Sequence, residues 1–141
     1  MNIYSLILVF LLSFPAGRTL YSADGKASFY ADRMHGSRTA SGERYNKNQL
    51  TAAHASLPFD TYVQVTNTRN GKSVVVRIND RMAHSRHRVI DISKAAAQQI
   101  DLIRAGIAPV QVQELPGSGQ PEMATIVSEI MPTGKKPKLS L

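Results

Sequence analysis

An all-β domain with one short helix, folded as a barrel or a sandwich, is the fold class this sequence predicts. Three observations lead there. Short segments of period-two or β-branched character recur along the chain, with turn residues between them. Asn70-Gly71 stands between two such segments and is the strongest hairpin signal present. Only one segment, after Ser93, reads as a helix, so the alternation of strands and helices that marks a parallel doubly wound sheet is missing.

The elements follow in order. Ile3 to Phe14 is an apolar run of signal-peptide length, and Pro15-Ala16-Gly17 supplies small residues for processing. Residues 1–17 therefore read as a signal peptide and the product as exported. The run has no Lys or Arg before it, which leaves an uncleaved anchor or a mis-called start codon as the competing reading. Lys26 to Tyr30 reads as a strand ending in an aromatic pair. Arg33 to Tyr45 is polar and punctuated by glycine, a loop that suits a sugar or a phosphate as well as plain solvent. Leu50 to His54 alternates weakly and presents a histidine, which is either structural or part of a site. Leu57 to Thr61 is a turn around Pro58. Tyr62 to Asn67 alternates as a half-buried strand.

Ser73 to Arg81 is the centre of the chain. Val74, Val75, Val76 and Ile78 are β-branched and suit a buried sheet, and Asp80 comes where the apolar run stops. A carboxylate at a strand end beside a core has a tunable environment, which acid–base chemistry needs. The plain alternative is a turn residue paired with Arg81. Met82 to Arg88 then collects His84, Arg86, His87 and Arg88, a set suited to an anion. No third histidine or carboxylate completes a metal-ligand spacing there, so no metal is expected. Val89 to Ile92 is a strand, Ser93 caps a helix from Lys94 to about Leu102, and Val110 to Leu115 is the last strand. From residue 116 to 141 the composition turns to Pro, Gly, Ser and Lys, the pattern of a disordered basic tail.

The chain has 141 residues, no cysteine and a formal net charge of +7. One domain, residues 18–115, fits that length. Disulfides, thiolate metal sites, a Cys nucleophile and a lipid anchor on Cys are all excluded. The basic balance suits an anionic or polar polymer. Nucleic acid is disfavoured by the export signal and the sparse aromatics.

The motifs His35-Gly-Ser-Arg-Thr-Ala-Ser-Gly-Glu43, Leu50-Thr-Ala-Ala-His54, Val76-Arg-Ile-Asn-Asp-Arg81 and Ile90-Asp-Ile-Ser93 stand in one order and spacing. So do Gly25-Lys-Ala-Ser-Phe-Tyr30 and Gly106-Ile-Ala-Pro-Val110. In this the chain resembles the RlpA-like (rare lipoprotein A-like) proteins over about residues 25–115. The resemblance implies a six-stranded double-psi β-barrel related to expansin and barwin domains. It also implies an endolytic lytic transglycosylase that cuts the MurNAc–GlcNAc bonds of peptidoglycan, leaves 1,6-anhydro-muramoyl ends and prefers strands stripped of peptide. The implied functional positions fall on Glu43, His54 and Asp80. Asp80 would act as acid and then base, His54 would orient it, and Glu43 would bind sugar or stabilise the transition state. Asn79, Arg81, Thr39 and Ser41 would contact substrate. No metal or organic cofactor is implied. The expected partner is the glycan strand, with no nucleic acid and no lipid anchor, and the expected state is a monomer. The expected location is periplasmic or secreted, at the cell wall. A non-catalytic, expansin-like wall-binding module is the alternative. The chain departs from the family pattern at Phe29, at Asp60 where Gly is common, and at Met82-Ala83 where Gly-Pro is usual.

Overall fold

A computed structural model describes residues 19–118. The proposed signal segment and all of the tail but residues 116–118 lie outside them. Six strands form a closed barrel: β1 (Ser22–Phe29), β2 (Thr51–Ala53), β3 (Tyr62–Asn67), β4 (Ser73–Asp80), β5 (Arg88–Ile92) and β6 (Ala108–Glu114). Around the barrel the order is β1-β5-β2-β4-β3-β6, and β6 closes on β1. The pairs β1/β5 and β2/β4 are parallel; the other four are antiparallel. Among the described residues a single α-helix, α1 (Lys94–Gln99), stands between β5 and β6. This is the double-psi β-barrel with one short helix, and closure leaves no open sheet edge.

Alternation along the strands builds the interior. Val63 and Val65, Val74, Val76 and Ile78, Ile90 and Ile92, and Val110 and Val112 all point inward and are buried. Each such side chain contributes roughly 1.5–3 kcal/mol of burial. With no disulfide, this packing holds the domain. Ala27 and Ala52 supply the small inward residues of β1 and β2.

The strand β1 begins at Ser22, four residues before the aromatic-pair pattern that predicts it, because pairing with β6 extends from Ser22↔Gln113 to Ala27↔Ala108. Gly25 lies where β1 passes close to β5. A Cβ there would sit 2.9 Å from Val89 Cβ and 3.3 Å from the His87 carbonyl. Gly25→Ala should therefore cost about 1–3 kcal/mol by forcing the two strands apart, which urea unfolding would measure. An unchanged midpoint would show that the crossing has slack.

The helix is shorter than expected. Ser93 caps it as predicted: its Oγ accepts the Ala96 amide at 3.3 Å. The far end closes in a Schellman turn, with the Asp101 amide donating to Gln98 and the Leu102 amide to Ala97, and Asp101 takes the left-handed conformation at φ 54°. The hairpin between β3 and β4 is a loop, Thr68–Lys72, in which Gly71 has φ 74°. Its Asn70 and the buried Asn67 both donate side-chain N–H groups to the Ile100 carbonyl, which ties the hairpin to the end of the helix.

Candidate functional site

Asp80 is the last residue of β4, and a bulge delivers it. On β2 the partners step from Ala52 to Ala53, while on β4 they step from Ile78 to Asp80. Burial alternates along β4 up to Ile78, and then Asn79 is buried as well. The extra residue bends the strand end and re-aims its side chains, as bulges beside functional sites do.

Three donors hold the Asp80 carboxylate. Tyr30 Oη donates to Oδ2 at 2.6 Å. The amides of Ala40 and Arg81 each donate to Oδ1 at 2.8 Å. Tyr30 stacks on Tyr45, with ring centres 4.3 Å apart. Burial first, then the hydrogen bond to Asp80, pushes the Tyr30 phenol well above its ordinary range, so it remains a donor.

The loop that supplies Ala40 is tightly folded, unlike the open surface its composition suggests. Arg38 and Arg44 bridge across it, and the Thr39 amide donates to the Glu43 carbonyl at 2.7 Å. Gly42 turns the chain at φ 93°. The Ser41 amide donates to the Asn79 carbonyl and so docks the loop on the end of β4. This brings Glu43 to the side chain of Asn79, the residue before Asp80. Glu43 Oε2 accepts from Asn79 Nδ2 and from Arg77, both at 3.0 Å. Partial burial pushes the Glu43 carboxyl up, but the bonds from Arg77 and Asn79 outweigh it, and the net shift is downward. Glu43 therefore stays ionised to lower pH than a free glutamate.

His54 directly follows β2. Its amide donates to the Asp80 carbonyl at 3.2 Å, so the two residues are neighbours in the ladder. The ring makes no hydrogen bond to either carboxylate. Its Nδ1 accepts the amides of Ser56 and Leu57 at 3.1 and 3.0 Å. Burial, then the positive charge of Arg81 and of His84, holds the imidazole below its ordinary value. A neutral ring whose Nδ1 accepts two bonds carries its proton on Nε2.

The remaining expected substrate contacts divide. Asn79 is buried and spends its amide on Glu43. Arg81 lies 4.2 Å over the Phe59 ring and also reaches the His54 carbonyl. The Thr39 hydroxyl is shared with Ser41 and the Glu43 carbonyl, so it shapes the loop. Asp60, the departure from glycine, has φ 67° and accepts from Arg77, a backbone state that Asp tolerates better than most residues.

Sequence reasoning missed Tyr30, Arg77 and the Ala40 amide. The aromatic pair at the end of β1 was the only signal for Tyr30. Nothing local marks a backbone N–H as a ligand for a side chain 40 positions away. The arrangement offers a carboxylate fixed by three donors, a second, ionised carboxylate docked on the neighbouring Asn79, and several polar groups.

Residues 22–112 match a family described as lytic transglycolase. Among curated relatives, the endolytic peptidoglycan transglycosylase RlpA of Neisseria meningitidis serogroup A is 49% identical over 102 residues, 72% of this chain and 43% of that protein. The same-named protein of Campylobacter jejuni is 51% identical over 92 residues, 65% of this chain and 34% of that protein. The chain thus spans under half the length of these relatives. Among solved structures, an expansin of Clavibacter michiganensis aligns with a TM-score of 0.56 at 20% identity, over 72% of this chain and 54% of that one. A Streptomyces papain inhibitor aligns at 0.55 and 21%, over 67% and 94%. At such identities the two likenesses bear on the fold alone.

Proposed function

Because the chain belongs to the lytic transglycolase family of double-psi barrels, we propose that it is an endolytic peptidoglycan transglycosylase acting outside the cytoplasm on glycan strands with few stem peptides. Residues 1–17 would direct its export. The observation that carries the reading is the Asp80 carboxylate, held by three donors at the bulged end of β4, with Glu43 docked on the neighbouring Asn79.

Protonated Asp80 gives its proton to the glycosidic oxygen as the MurNAc–GlcNAc bond breaks. The resulting carboxylate takes the proton of the muramoyl 6-hydroxyl, whose oxygen bonds to C1 and closes the 1,6-anhydro ring. One group is thus acid and then base, and no water is consumed. The charge of Glu43 stabilises the oxocarbenium-like transition state.

Digestion of purified peptide-free sacculi, read by mass spectrometry, tests the reading. Fragments ending in 1,6-anhydro-muramic acid are expected. Reducing ends would make the protein a hydrolase, and binding without cleavage would leave an expansin-like wall-binding module. Glu43→Gln keeps an oxygen for Arg77 and Asn79 but removes the charge. It should lower kcat by about 10²-fold with little change in stability. Glu43→Ala also strands the buried Asn79 amide and should cost about 1–3 kcal/mol more. Equal kcat for wild type and Glu43→Gln would remove the electrostatic role.

A further inference from the structure

Beside His54 lies a cavity of ≈ 210 Å³ whose wall includes Tyr21, His84, Arg86, His87 and Arg88. The proposed acid–base chemistry of Asp80 and Glu43 does not use it. His54 is 3% exposed, and its Nε2 has no hydrogen-bond partner among the described residues. No buried side-chain nitrogen or oxygen among the described residues lacks a partner, so Nε2 keeps some access to solvent. The Tyr21 ring meets the imidazole edge-on at 5.0 Å, which fixes its plane. His54 lines the cavity, and with Nδ1 already bonded its Nε2–H is the ring group left to meet a ligand.

The rim is cationic. His84, Arg86, His87 and Arg88 fall within five residues that contain no acid. Arg88 is held by Asp91 at 3.1 Å. Arg86 is exposed and has no ion pair among the described residues, which leaves it to meet a ligand. Asp24, on β1, is the one carboxylate on the wall.

We infer that this cavity is a carboxylate subsite, in which His54 Nε2–H and the Arg86 guanidinium receive the free lactyl carboxylate of a muramoyl residue. The inference rests on the glycan-strand reading above and deepens it. A glycan strand without peptides carries its carboxylates on those lactyl groups. A stem peptide converts the same group to a neutral amide, removes the charge that Arg86 meets and adds bulk that the cavity cannot hold. The preference for stripped strands would then reside in the loop from His84 to Arg88, next to the catalytic strand end.

The test is equilibrium binding of two glycans to the full chain carrying Asp80→Asn, so that the strands stay intact. One is peptide-free glycan; the other is the same material with its lactyl carboxylates reduced to alcohols. The carboxylate form should bind about tenfold tighter or more. Arg86→Gln should bring that ratio close to one, and Asp24→Asn should raise it. Circular dichroism of each variant checks the fold. A ratio of one in the protein with Arg86 intact, or a ratio indifferent to Arg86→Gln, overturns the subsite, as does failure to bind either glycan. Cleavage assays on the wild type report separately: anhydro products with a ratio of one would sink the subsite and keep the activity. A selective ratio without products would do the reverse.

Discussion

Asp80→Asn is expected to lower the rate of glycan cleavage by about 10²–10⁴-fold while the protein stays folded. The carboxylate is the one group at the bulged strand end that both gives and takes a proton in the proposed cycle. An amide can do neither. The hydrogen bonds explain why the fold should survive. Oδ1 accepts two amides, from Ala40 and Arg81, and an Asn oxygen can keep both. In place of Oδ2 an NH2 group would face Tyr30, whose hydroxyl can turn and accept instead of donate. The stability change should stay near 1 kcal/mol, and thermal unfolding would show it. Released 1,6-anhydro fragments, counted by mass spectrometry, measure the rate. A variant that cuts at the wild-type rate would remove Asp80 from the chemistry.

The second large effect is on the fold. Ile78→Ala should cost about 2–5 kcal/mol, which corresponds to a Tm lower by roughly 10 °C or more for a domain of this size. Ile78 is fully buried, pairs with Ala52 and is the last inward residue before the bulge. Its amide donates to Thr61 and its carbonyl accepts from Asp60, so the backbone around the vacated space is pinned and cannot collapse into it. Cleavage should fall as well, since the platform for Asp80 is loosened. Ile78→Val, with one methylene removed, should cost only about 0.5–1.5 kcal/mol. Equal Tm values for the two variants would mean that the barrel relaxes around this position.

Much of the fold was legible because its signals are local. Period-two burial in Tyr62–Asn67 and the valines of β4 both appear in the strands as read. Ser93 as a cap needs only the geometry of its own first turn. The end of the helix was less legible. Its glutamines, isoleucine and leucine all propagate a helix well, and the stop comes from Asp101 entering a left-handed turn while Leu102 is buried. The loop before Tyr45 was legible as a loop but not as a tight bridge pinned to Asn79. For the site, Glu43 and Asp80 are found at one strand end through shared contacts with Asn79 and the loop. His54 reaches Asp80 through the backbone ladder, while its ring turns to Ser56 and Leu57.

The amino-acid order alone determined the strands to within a few residues, the turn residues, the helix cap and the motifs that resemble one family, because each depends mainly on neighbours a few residues apart. Only the tertiary structure decided that Tyr30 and Ala40, 50 and 40 residues before Asp80, grip its carboxylate. It alone decided that His54 faces a cavity walled by Arg86. The reason is register: parallel pairing and a single extra residue on β4 set which side chains meet, and no local pattern carries that information.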